Sequence, residues 1–78
     1  MAVAEKQPIP KWFNGEIYSN GMDVKNPYTG DSIYLNKIEL SMYDLTKGAE
    51  MLGFWDDVRK GCDWFRKYSP KAYMVLLD

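Results

Sequence analysis

The stretch Asn36-Lys37-Ile38-Glu39-Leu40-Ser41-Met42-Tyr43-Asp44-Leu45-Thr46-Lys47-Gly48-Ala49-Glu50-Met51-Leu52-Gly53 decides the fold, because it carries both ends of one helix and most of its periodicity. Asn36 can accept from the first free amides, and Glu39 three positions on completes a capping-box pattern. Ile38, Met42, Leu45, Ala49 and Leu52 recur at four-three spacing and predict one apolar stripe. Gly53 supplies the left-handed residue on which helices commonly end.

Downstream, Trp55 to Tyr68 predicts a second helix, with Asp56 and Asp57 in its first turn and Arg66 and Lys67 in its last, complementing the helix dipole. Phe54, Trp55, Val58, Cys62 and Phe65 are expected to face the core, with Trp64 and Tyr68 flanking them. Asp56–Lys60 and Asp63–Lys67 are placed for i,i+4 ion pairs. Gly61 inside this helix costs about 1 kcal/mol against Ala, which implies close approach of another helix. Ser69-Pro70 is a cap followed by proline at the first helical position, so a short helix is expected from Pro70 to Leu77. The run Tyr73-Met74-Val75-Leu76-Leu77 also fits a buried strand; the helix is preferred because no hairpin turn precedes it.

Upstream, residues 16–35 read as a short antiparallel meander. Asn20-Gly21 signals a two-residue hairpin turn that would pair Ser19 with Met22, Ile17 with Val24 and Glu16 with Lys25. Asn26-Pro27-Tyr28-Thr29-Gly30-Asp31 supplies a second turn, returning Ser32-Ile33-Tyr34-Leu35 so that Ile33 faces Val24 and Leu35 faces Met22. Residues 1–10 are expected to form a mobile arm, since Pro8-Ile9-Pro10 favours an extended path, and Lys11-Trp12-Phe13 to pin it. Residues 11–78 then make a single small globular domain of class α+β: a meander followed by two amphipathic helices and a short C-terminal helix.

Composition narrows the chemistry. The 78 residues contain no histidine and one cysteine, which removes imidazole catalysis, His-ligated metals, an intrachain disulfide and a cysteine zinc cage. Ten Lys plus Arg balance eleven Asp plus Glu, so no overall field draws in nucleic acid or an anionic membrane. The opening Met1-Ala-Val-Ala-Glu-Lys-Gln lacks the apolar run of a secretory signal, and no stretch approaches the length of a membrane span. A cytoplasmic location is the expectation. Asp56 and Asp57 diverge by about 100° on a helix and cannot share a proton as a catalytic dyad does. Asp23 to Asp31 does not match the ligand spacing of a calcium loop. No catalytic residue, cofactor or metal is therefore expected. Cys62 reads as a small buried hydrophobe.

Two binding readings remain. Leu40 and Met51 fall opposite the stripe of the first helix, with Tyr43 toward one side. They either lie under the Trp12-Phe13 segment or form a surface for a partner protein or a second copy. Leu40, Tyr43, Met51 and Trp12 are thus the candidate protein-binding residues. The alternative is a nucleic-acid face built from Arg59, Lys60, Arg66, Lys67 and Lys71 with Trp64, Tyr68 and Tyr73 nearby. The balanced charge argues against it, because few released counterions give weak binding.

Asn26-Pro27-Tyr28-Thr29-Gly30-Asp31, Glu39-Leu40-Ser41-Met42-Tyr43-Asp44, Asp63-Trp64-Phe65-Arg66-Lys67-Tyr68 and the closing Tyr73-Met74-Val75-Leu76-Leu77-Asp78 resemble stretches of small uncharacterised proteins of tailed bacteriophages. The resemblance covers residues 26–78 and transfers no functional residue. It implies a phage-encoded accessory protein that binds and modulates a host or phage protein in the infected cytoplasm, or a minor, self-assembling virion component.

Overall fold

The computed structural model describes residues 7–13 and 15–77. Two strands, β1 (Met22–Lys25) and β2 (Ser32–Leu35), form an antiparallel pair. They are followed by α1 (Lys37–Leu52), α2 (Trp55–Tyr68) and a short α3 (Pro70–Ala72), which loosens into one π-helical turn over Tyr73–Leu77. The α+β order, both long helices and the helical C-terminal run agree with the sequence reading.

The strand register also agrees: Met22 lies opposite Leu35 and Val24 opposite Ile33. The Asn26–Asp31 turn closes with the Asn26 N–H donating to the Asp31 carbonyl at 2.7 Å. Asn26 also donates through Nδ2 to the Val75 carbonyl at 2.9 Å, fastening the turn to the C-terminal helix.

The first strand of the expected meander does not form. Residues 16–19 pair with no strand, and among the described residues only Gly30 and Gly53 take positive φ, 83° and 78°. Asn20-Gly21 therefore makes no type I′ turn. Gly21 is small for another reason: a Cβ there would collide with the Leu35 carbonyl oxygen and approach the Asn36 Cα. The segment before it lies along α1 instead, where the Tyr18 N–H donates to Ser41 Oγ at 2.9 Å.

The limits of α1 follow from its sequence. Asn36 Oδ1 accepts the Glu39 N–H at 2.8 Å, Glu39 Oε1 accepts the Asn36 N–H at 2.9 Å, and Gly53 closes the far end in a left-handed conformation. Its buried face is rotated from the expected stripe. Glu39, Met42, Thr46 and Ala49 are buried, whereas Leu45 is half-buried and Leu52 exposed. Polar side chains can occupy that face because each is paired. The Thr46 hydroxyl donates to the Met42 carbonyl at 2.7 Å, and that of Ser41 to the Lys37 carbonyl at 2.7 Å.

The buried face of α2 is also rotated from the expected one, in the opposite sense. It buries Gly61, Trp64 and Phe65, while Val58 and Cys62 are half-buried and Phe54 and Trp55 exposed. The seam explains this. Gly61 faces Thr46 so closely that a Cβ would meet the threonine hydroxyl, so the two helices touch backbone to side chain at that point. Trp64 turns inward because its ring packs edge-on against Phe65 at 5.0 Å and its indole N–H donates to the Pro8 carbonyl at 2.9 Å. The exposed ion pairs are i,i+3 rather than i,i+4: Arg59 with Asp56 at 3.4 Å, and Arg66 with Asp63. Such pairs add little stability.

Gln7 to Pro10, the described part of the expected arm, lie against this body; residues 1–6 of the arm fall outside the described residues. Gln7 Nε2 donates to Glu39 Oε2 at 2.8 Å and to the Tyr68 carbonyl at 3.2 Å, and Asn36 Nδ2 donates to Gln7 Oε1 at 3.0 Å. Ser69 completes the network by donating to Glu39 Oε2 at 2.6 Å, so its hydroxyl does not cap α3 as its position suggested. One buried carboxylate thus joins the N-terminal segment, the start of α1 and the end of α2.

Candidate functional site

β2 packs against α1 and the C-terminal helix, whereas β1 pairs with β2 and overhangs the helical layer. Beneath the overhang is an open groove of about 700 Å³. Met22 and Val24 face it from β1, Leu40, Tyr43 and Asp44 from α1, and Tyr18 to Gly21 line the rest. Val24, Leu40 and Tyr43 reach the core and form a half-buried floor, while Met22 at the lip is 55% exposed. The spacing behind this is local: Leu40, Tyr43 and Asp44 lie within one turn of helix, and Met22 and Val24 share a strand face.

The backbone of β1 is available as well. The bonded pair Asn26–Asp31 sets the alternation, so Val24 and Met22 exchange hydrogen bonds with β2 while the amides of Asp23 and Lys25 point outward. No strand occupies that edge among the described residues.

Electrostatically the groove is mildly acidic, with Asp23 and Asp44 against Lys25. The Asp44 carboxylate, as hydrogen-bond acceptor and as charge, holds the Tyr18 phenol above its ordinary pKa, with slight burial and the Glu16 charge adding to the effect.

The four protein-binding candidates do not converge. Leu40 and Tyr43 share the groove floor. Met51 stands eleven residues beyond Leu40, about 16 Å along the helix, at the α1–α2 corner. Trp12 lies half-buried on α2, with Lys60 Nζ 5.8 Å from its ring centre. Tyr18, Met22, Val24 and Asp44 are lining residues that sequence reasoning missed. The alternation of β1 was legible, but its overhang depends on where β2 docks.

The basic candidates lie along exposed α2 and α3, with much of their charge already engaged. Arg59 pairs with Asp56, Arg66 pairs with Asp63 and stacks 5.3 Å from the Tyr73 ring, and Lys67 stands over Tyr68 at 5.3 Å. Lys60 meets Trp12 as above, and Lys71 is exposed.

Cys62 is half-buried and lines a second cavity of about 450 Å³ with Thr46, Lys47, Val58 and Leu76. Burial raises its thiol pKa, outweighing the opposing Arg66 charge. The thiol is accordingly expected to alkylate more slowly at mildly alkaline pH in the folded protein than after denaturation. Iodoacetamide labelling followed by mass spectrometry checks this, and equal rates would contradict it.

Among the described residues no group of three or more carboxylates and thiols is placed to hold a metal ion, and no helix is long and apolar enough to cross a membrane. No protein-family model, curated protein or solved structure matches the chain.

Proposed function

We propose that this domain is a protein-binding module whose site is the groove beneath β1. An extended segment of a partner protein adds to the outer edge of β1 and seats an aliphatic or aromatic side chain between Met22 and the Leu40–Tyr43 floor. The observation that carries this reading is the overhang, which leaves an apolar strand face and two outward-pointing amides side by side. Main-chain pairing supplies affinity and the side-chain seat supplies selectivity in strand addition. Asp23 and Asp44 flank the seat, so the preferred partner carries Lys or Arg beside its apolar anchor. The mechanism is occlusion or recruitment of the partner without covalent chemistry. A phage accessory protein directed at a host or phage protein, as the resemblance implies, is the setting we propose.

Selection from a displayed random-peptide library tests the reading. The expected winners are extended peptides with one large apolar residue next to a basic one. Their binding should weaken at least about 10-fold with Met22→Asp, a lip position where truncation leaves the core intact. Asp44→Lys should shift the winners from basic to acidic flanks. Selected peptides indifferent to both substitutions would overturn the assignment.

A further inference from the structure

At the opposite end of α1 the chain turns through Gly53 and leaves four large apolar side chains in solvent: Met51 is 87% exposed, Leu52 69%, Phe54 55% and Trp55 61%. The corner is tightly built. The Phe54 N–H donates to the Ala49 carbonyl at 2.9 Å and that of Gly53 to the Glu50 carbonyl at 3.2 Å, so these side chains are held outward on short, ordered backbone.

Beside them lies a concavity of about 360 Å³ whose walls are Leu45, Gly48, Ala49, Leu52 and Phe54, with Asp44 and Asp57 at its edges. Its floor is low because a Cβ at Gly48 would meet nothing within 4 Å. Knobs and a hole therefore occur on the same patch. An isologous contact requires this, since each copy must offer both halves of the fit.

The rim meets the same requirement. Lys47 pairs with Glu50 at 2.9 Å and Arg59 with Asp56 at 3.4 Å, so most charge beside the corner is neutralised within each copy, and with Asp44 and Asp57 in addition an anionic membrane or nucleic acid would find no net positive field. Area decides whether the contact can be specific. The four side chains leave on the order of 500 Å² uncovered, and a two-fold contact would remove about 1,000 Å² from both copies, near the lower bound for a specific interface.

From these observations we infer that the α1–α2 corner is a self-association surface, through which two copies pack Met51 and Trp55 of each into the Gly48–Ala49 concavity of the other. Its apolar knobs, Met51 and Trp55, lie outside the groove, while Asp44 borders both the concavity and the groove.

Sedimentation equilibrium between about 1 μM and 1 mM tests it. Wild-type protein should rise reversibly from the 9.1 kDa chain mass toward twice that value. Met51→Lys with Trp55→Glu should remain at the single-chain mass with an unchanged circular-dichroism melt, an association weakened at least about 100-fold. Gly48→Gln, which fills the concavity and adds no charge, should have the same effect, while Met22→Asp in the groove should leave association intact. A wild-type chain that stays single across the range, species growing beyond two copies, or a charged double variant that associates normally would each overturn the inference.

Discussion

Replacing Gly61 with Ala is expected to destabilise the domain by about 2 kcal/mol, within the range of overpacking in a tight core. On an isolated helix the same change would stabilise by about 1 kcal/mol. The sign reverses because the new methyl would fall on the Thr46 hydroxyl and within 3.0 Å of Thr46 Cβ and Cγ2. Thr46 cannot yield freely, since its Oγ1 is bonded to the Met42 carbonyl at 2.7 Å in a buried seam. Gly48, also mid-helix, is the internal control: with open space at its Cβ, Gly48→Ala should stabilise by about 0.5–1 kcal/mol. Thermal melts separate the pair, with Gly61→Ala lowering Tm by about 10 °C in a domain of this size. In a Thr46→Ala background the Gly61→Ala loss should shrink by about 1 kcal/mol. Equal and favourable effects at both glycines would mean that α1 and α2 do not meet at this seam.

The second large effect is expected at Glu39, where Ala should remove about 3 kcal/mol of stability in urea unfolding, because it strands several partly buried donors at once. The carboxylate accepts from Asn36, Gln7 and Ser69, which belong to three different parts of the chain. Glu39→Gln keeps the shape but turns one acceptor into a donor facing donors, so about 1–2 kcal/mol should still be lost. Gln7→Ala, which removes one arm of the network, should cost about 1 kcal/mol. A Glu39→Ala variant as stable as the wild type would show that the network does not hold the N-terminal segment to the body.

These two positions also mark what could be read from the chain. The capping box was legible because Asn36 and Glu39 are three residues apart and their partners are each other's amides. The additional bonds to Gln7 and Ser69 were not, since they join residues 32 and 30 positions away from Glu39. Gly61 was legible as a sign of close helix approach, for a mid-helix glycine needs a reason. Its partner Thr46 escaped notice because an apolar wheel gives no weight to a polar residue that satisfies itself against its own helix. The rotated faces of α1 and α2 follow from that omission: Thr46 and Gly61 sit where the wheel looked for Leu45 and Cys62. Asn20-Gly21 misled because a glycine can be required by steric approach as well as by positive φ, and here the Leu35 carbonyl sets the requirement. Of the candidate site, Leu40 and Tyr43 were legible as apolar residues off the core stripe. Met22, Val24 and Tyr18 join them only once β2 has docked and β1 overhangs, which no local pattern encodes.

In the proposed function the free edge of β1 and the floor beneath it receive a partner's strand. The most direct measurement is amide NMR on isotopically labelled protein, with and without the tightest peptide from the library selection. The Asp23 and Lys25 amides are expected to gain protection from hydrogen exchange while shifts concentrate at Met22, Val24, Leu40 and Tyr43. Unprotected Asp23 and Lys25 amides, with the shifts gathered at Arg66 and Lys67 or at the Met51–Trp55 corner, would contradict it.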